Sequence, residues 1–498
     1  MHDIPRPAAN PTPVPPGGAR LLHWGLLAPA LALLLTACGG GGNYVPPAEE
    51  QAALCRSQSN DTPETLLPCI TADGVHAHLE KFAEIALANG GSRASGTPGY
   101  EASARYVEGL LREAGYTVTL QRFSVDSFEL RKPGVLEQRS PTVAAVPHRV
   151  LVYSGSGDVT AAVATPAGAL GCTAADFVGF PTGAIALVRR GECTFAQKAT
   201  NASHAGAAAV VVYNQAAGPV DGDLGVGFRL ALPVVGVTRA VGDQFVAQVP
   251  GGLELRVEVD AQRNTHESLN VLAETSAGDA SRVSMAGAHL DSVPGTMGSN
   301  DNGSGSAALL ETALQMARAQ PRNRVRFAFF GSEELGLVGS DTYVTRLSEA
   351  ERARIGVYLN FDMIASPNYV YGLFVGNGQA SDGSPLGGTA ATTIQKVFTD
   401  YYDQRGLPWR LIAGADGRSD HSAFSRAGIP HGGLFTGAEE IKSLQDAALW
   451  GGTAGVALDA CYHKSCDNLA NVNLTALAVN AQLVAASVLH FATHALAR

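Results

Sequence analysis

From about residue 265 the chain alternates between apolar strand-like runs and helical stretches, with one kind of polar residue gathered where the strands stop. "SRVSMAGAHL" (281–290) has a buried-strand pattern, and "GSGSAALLETALQMARAQ" (303–320) reads as a helix halted by Pro321. "RVRFAFF" (324–330) is a second strand, "EELGLVGSDTYVTRL" (333–347) a helix and "GVYLNFDMI" (356–364) a third strand. Such alternation predicts a largely parallel sheet with helices on both faces. Ligands of such sheets gather at the carboxyl ends of the strands. His289, Glu333, Glu334 and Asp362 each stand at, or just past, the end of a predicted strand.

The stretch "HLDSVPGTMGSNDNGSG" (289–305) sets His289, Asp291 and Asp301 among glycines directly after the first of these strands. A solvated loop has no need of the histidine, and a buried one is destabilised by its carboxylates unless positive charge compensates them. Each residue alone has an ordinary explanation. A single histidine after a strand is commonly packed in a core, and Glu333-Glu334 could open a helix, where acids are favoured. Asp362 within "NFDM" is harder to place, because a carboxylate in an interior strand needs a partner, and few lysines or arginines lie nearby in the sequence. Imidazoles and carboxylates together suit zinc, and two close metals need a shared carboxylate with further ligands on either side. His463 in "CYHKSCDN" (461–468) would complete five ligands with one spare carboxylate. Other signatures are missing: there is no H-E-x-x-H, no paired C-x-x-C and no G-x-S-x-G.

At 498 residues the chain is long enough for two or three domains, and 46% hydrophobic with 16% charged residues marks a globular protein. A net charge of −10, without a lysine- or arginine-rich run, argues against nucleic acid as a partner. The N-terminus reads as an address. Arg20 precedes an apolar run from Leu21 to Ala37, interrupted by His23 and Pro29, and small residues lead to Cys38. This fits a signal peptide over 1–37 better than a permanent membrane helix. The ending Leu35-Thr36-Ala37-Cys38 resembles a bacterial lipobox, which implies a lipid at Cys38, a membrane anchor and a flexible tether over 38–70. The protein is then expected to be exported and held in the bacterial envelope. Of seven cysteines, six remain, and they form sequence-local pairs, 55 with 69, 172 with 193 and 461 with 466. That is one of fifteen connectivities, and an oxidising compartment would allow it.

Upstream, residues 71 to 116 read as two helices separated at Pro98-Gly99, and "TVTLQRFSV" (117–125) as a strand. From about 140 to 262 short β-branched runs alternate with glycine and proline, the spacing of a small β-rich domain. "GAIALVRRGECTFAQKATNASHAGAAAVVVYN" (183–214) and "LPVVGVTRAVGDQF" (232–245) resemble the protease-associated domain, an accessory module without catalytic residues. Its Arg189, Arg190, Glu192 and His204 are expected on a solvated surface.

"HLDSV…SNDNGSG", "FFGSEELGLVGS", "NFDM", "GRSDHSAF" and "CYHKSCDNLAN" resemble, in order, the motifs of the secreted bacterial di-zinc aminopeptidases, relatives of glutamate carboxypeptidase, the transferrin receptor and glutaminyl cyclase. "SRASGTPGY" (92–100) and "GLFTGAEEIK" (433–442) fit as well. The resemblance implies a phosphorylase/hydrolase-like α/β fold with a mixed, mostly parallel sheet. It would be built from residues 71–135 and 263–498, with the protease-associated domain inserted over 140–262. It further implies two zinc ions: His289 and Asp362 on one, Glu334 and His463 on the other, and Asp301 bridging. Glu333 would be the general base on a di-zinc-bound water, and Asp291 would orient His289. Tyr462 and Arg418 would assist the substrate carbonyl. A cis peptide between Asp301 and Asn302 is implied too. The implied activity is removal of N-terminal residues from peptides. A glutamate carboxypeptidase-like enzyme and a non-catalytic receptor-like protein are the alternatives, of which the first needs a basic pocket and the second should lack ligands.

Overall fold

The structure, a computed structural model, describes residues 48–496 apart from 216–217, 219, 221, 376–387 and 413–416. The expected signal peptide and Cys38 lie outside the described residues.

One eight-stranded sheet runs in the spatial order Thr117–Leu130, Ala261–Glu274, Asn323–Phe330, Asp279–His289, Ile355–Phe361, His431–Phe435, Gly372–Val375, Arg410–Leu411. Its four central strands, from Asn323–Phe330 to His431–Phe435, are mutually parallel, and antiparallel strands flank them. The central strands are apolar on both faces because helices cover both. Side chains alternate across the strand. Phe327 and Phe329 therefore join Leu309, Leu310 and Val484 in one core, while Ala328 and Phe330 meet Tyr343 and Phe424 in the other. The helix Leu474–Thr493 is long and apolar enough to cross a membrane, but most of it packs inside the first core.

A second eight-stranded sheet is built from residues 135–259. Within it Ile185–Arg189, Ala209–Tyr213 and Val234–Val237 are parallel. The helix Phe195–His204 packs on one face through Ala199 and Ala202, and Arg239–Gln248 on the other through Phe245. Arg189, Arg190, Glu192 and His204 are exposed. The two bodies are joined by the strands Thr117–Leu130 and Ala261–Glu274, which pair antiparallel along their whole length.

Three expectations need correction. The segment 38–70 is no tether over its described part: Ala48–Ser57 is helical, Leu66 and Ile70 are buried in the first core, and Asn60 donates to Gln315 O at 2.6 Å. Apolar side chains spaced to reach that core outweigh the entropy of a free linker. The helix expected from Glu333 begins only at Val338. Left-handed Ser332, Gly336 and Leu337 (φ 60°, 100° and 62°) turn residues 331–337 into a tight loop instead. Finally, Val135–Ser140 pairs with Glu254–Val259, so the second sheet starts before residue 140. All three local disulfides are formed.

Candidate metal centre

The parallel strands deliver their ends to one place. His289 is the last residue of its strand, Glu333 and Glu334 follow Phe330, and Asp362 follows Phe361. Asp301 sits on the loop after the His289 strand, beside a cis peptide to Asn302. His463 arrives on the loop closed by Cys461–Cys466, with φ 56°.

Asp301 stands in the middle. Its Oδ1 lies 3.3 Å from His289 Nε2, and its Oδ2 lies 3.2 Å from His463 Nε2. His289 Nε2 is also 3.4 Å from Asp362 Oδ1, and His463 Nε2 is 3.1 Å from Glu334 Oε2. Two donor groups result, His289–Asp301–Asp362 and Asp301–Glu334–His463, sharing one carboxylate; a third compact group is His289–Glu333–Glu334. Glu333 Oε2 is 3.9 Å from His289 Nε2 and belongs to neither of the groups that share Asp301.

The electrostatics call for positive charge. Burial pushes the Glu333 carboxyl well above its ordinary range, and Glu334 and Asp362 add to the shift against His289. Burial likewise raises Glu334 to about 7. Burial disfavours charge on His463, yet Asp301 and Glu334 outweigh it and lift the imidazole to about 11. Glu334 Oε1 and Asp362 Oδ1 are buried without a hydrogen-bond partner. Buried carboxylate oxygens in this state need a cation to balance them. A donor set of imidazole and carboxylate, divided about a shared carboxylate, fits two zinc ions.

Residues 270–488 match Peptidase family M28, and residues 156–245 match the PA domain. An aminopeptidase of Pseudomonas aeruginosa is 42% identical over 457 residues, covering 88% of this chain and 84% of its own. The probable lipoprotein aminopeptidase LpqL of Mycobacterium tuberculosis is 42% identical over 433 residues, covering 84% of each chain. The chain belongs to peptidase family M28. It is an aminopeptidase. Among solved structures, the aminopeptidase of Aneurinibacillus sp. strain AM-1 superposes with a TM-score of 0.72 at 26% identity, covering 88% of this chain and 98% of its own. BSAP, a zinc aminopeptidase from Bacillus subtilis, gives 0.59 at 28% identity, covering 84% and 95%.

The remaining sites of the peptidase are placed as follows. Asp291 is fully buried, but its carboxylate does more than face His289. It accepts the N–H groups of Glu333 and Glu334 at 3.1 and 3.4 Å, while His289 Nδ1 is nearer the Asp291 carbonyl, at 3.1 Å, than its carboxylate, at 3.7 Å. Asp291 thus ties two strand ends together. Tyr462 stacks on His463 with ring centroids 3.8 Å apart. Burial keeps its hydroxyl protonated far above neutral pH. Arg418 forks onto Glu439 at 2.8 and 2.9 Å at the mouth of the site. A cavity of about 200 Å³ opens from the acidic cluster, with Met363, Phe374, Ile412 and Phe435 on its apolar wall.

Several supporting residues escaped the sequence reading. Arg93 is fully buried in "SRASG" and donates to the carbonyls of Leu290, Met297 and Gly298, clamping the loop that bears Asp291 and Asp301. Asp467 accepts the N–H groups of Asn300 and Asp301 at 2.9 and 3.0 Å. Ser419 donates to Asp362 Oδ2 at 2.6 Å. Asp467 and Ser419 lie inside the quoted motifs that also hold His463 and Arg418, so membership of such a motif was the available signal.

Proposed function

We propose that this aminopeptidase works with two zinc ions, held by His289 and Asp362 on one side and by Glu334 and His463 on the other, with Asp301 shared between them. The observation that carries this reading is the division of the Asp301 carboxylate, one oxygen toward each histidine. Bound there, zinc would polarise a scissile carbonyl and make water acidic enough to attack near neutral pH.

The chain's own groups supply the rest. Glu333, buried and within 3.9 Å of His289 but outside the shared ligand pair, is the general base: it takes a proton from the attacking water and returns it to the departing amine. Tyr462 offers a neutral hydroxyl as a donor to the substrate oxygen, and Arg418, aligned by Glu439, borders the same space. A protonated peptide N-terminus suits the acidic cluster, and the first side chain would lie against Phe374, Ile412 and Phe435. The substrates are therefore peptides with a free N-terminus and an apolar first residue. A carboxypeptidase-like reading lacks its basic pocket: Arg418, the one lysine or arginine among the described lining residues, is already paired.

The lipobox-like Leu35-Thr36-Ala37-Cys38, the three disulfides and the lipoprotein relative support export and a lipid anchor at Cys38. Mass spectrometry of the mature N-terminus should find an acylated cysteine, and an unmodified start further along would remove the anchor. For the activity, leucyl-nitroanilide should be hydrolysed, its N-blocked form should not, and a peptide ending in glutamate should lose residues from its N-terminus. Metal analysis should return two zinc ions per chain. Hydrolysis of the blocked substrate, or one ion at full activity, would overturn this assignment.

A further inference from the structure

The loop 331–338 carries both adjacent glutamates and is bent through three left-handed residues. Within it the N–H groups of Gly336 and Leu337 donate to Glu333 O at 2.9 and 2.8 Å, and that of Val338 donates to Ser332 O at 3.0 Å. From the catalytic side, Asp291 takes the N–H groups of Glu333 and Glu334. The Leu335 carbonyl receives its donor from the other body of the molecule. The Tyr153 hydroxyl faces Leu335 O at 3.3 Å and Asp126 O at 2.8 Å, sharing one hydrogen between the loop and a strand that joins the two bodies.

Tyr153 is built into the inserted domain's core, 1% exposed, and its own backbone is left-handed at φ 62°. A bulky residue keeps that conformation only where its surroundings enforce it. Phe128 packs on its ring at 5.9 Å, and the Arg263 guanidinium lies 5.0 Å from the ring centre on the opposite joining strand. Arg263 Nη2 also donates to Tyr153 O at 2.6 Å. Both joining strands therefore grip the residue whose hydroxyl reaches the glutamate loop. The inserted domain thus meets the loop at the Leu335 carbonyl.

We propose that the inserted domain braces the catalytic glutamate loop, with Tyr153 as a positioning residue that holds Glu333 and Glu334 in register with His289 and His463. This rests on the roles given to those two glutamates above. The domain then acts on turnover, not only on which substrates approach.

The test is Tyr153→Phe in the full-length mature, zinc-loaded enzyme, with Val178→Ser on the exposed face of the same domain as control. Losing one hydrogen bond to the loop should lower kcat about two- to tenfold with KM for leucyl-nitroanilide nearly unchanged. Zinc affinity, measured by chelator competition without substrate, should weaken by a comparable factor. Arg263→Met, which frees the ring but keeps the hydroxyl, should shift both quantities in the same direction and guards against a Tyr153→Phe protein that fails to fold. A lowered melting temperature with unchanged kcat and zinc affinity would make Tyr153 a packing residue and overturn the brace. A wild type that is inactive with zinc bound, or fully active without it, would instead sink the proposed function and is told apart by the wild-type assay alone.

Discussion

The two bodies of this molecule share a local design and put it to different use. Each has neighbouring parallel strands with a helix on either face. In the catalytic body the strand ends release His289, Glu333, Glu334 and Asp362 into a buried acidic cluster. In the inserted body they release exposed Arg189 and Arg190, and its one buried ammonium, Lys198, is satisfied by the carbonyls of Leu170 and Gly191 at 2.7 and 2.8 Å. Among the described residues, every buried carboxylate oxygen without a hydrogen-bond partner lies in the catalytic body. Parallel strand ends supply a location; chemistry requires charges there that the protein itself leaves uncompensated.

Substitutions that respect this contrast should separate catalysis from stability. The largest effect is expected from Glu333→Gln, which keeps shape but removes the proton acceptor. We predict that kcat falls by about 10²–10⁴-fold with KM little changed and zinc retained. Near-normal turnover with the metal in place would erase the distinction between the bodies. Glu334→Gln, one residue along, should instead lose zinc, and added zinc should restore part of the rate.

Two of the three disulfides sharpen the contrast next. Cys172–Cys193 closes a 21-residue separation in the inserted body, and Cys461–Cys466 a 5-residue one around His463. Paired serines at 172 and 193 should cost roughly 2–5 kcal/mol of stability in chemical denaturation, with kcat of the folded enzyme retained. Paired serines at 461 and 466 should show mainly as weaker zinc binding in chelator competition. Equal zinc affinity in the two double mutants would contradict the assignment of His463.

Smaller still is Lys198→Met, which takes the ammonium from the Leu170 carbonyl while Gly191 O keeps the Cys193 N–H, and should cost about 1–3 kcal/mol without touching zinc content. Val178→Ser, on an exposed valine of the inserted body, should stay within about 0.5 kcal/mol and leave activity unchanged. A loss of turnover there would mean that the inserted surface takes part in the reaction.

Much of the catalytic half is legible from one dimension. Strand periodicity locates the strand ends, and the residue types at those ends name a metal chemistry before any distance is known. Five ligand candidates spread from 289 to 463 converge as their types require. Three features depended on folding. Residues 48–70 read as a linker because short apolar stretches look alike until a core is present to receive Leu66 and Ile70. The glutamate pair read as a helix start because acidic residues favour that position, whereas their N–H groups are taken by Asp291, 42 and 43 residues earlier. Tyr153 carried no signal at all, since its contact with Leu335 spans 182 residues and two domains.

What the sequence by itself determined is the list of chemical groups and the rhythm of strands that would carry them, because hydrophobic period and side-chain type are local properties. Only the tertiary structure decided which oxygen of Asp301 faces which histidine, which carbonyls hold Arg93, and that an inserted domain reaches the catalytic loop. Those are long-range contacts, set when packing brings distant segments together, and the energy that selects them is shared among many residues at once.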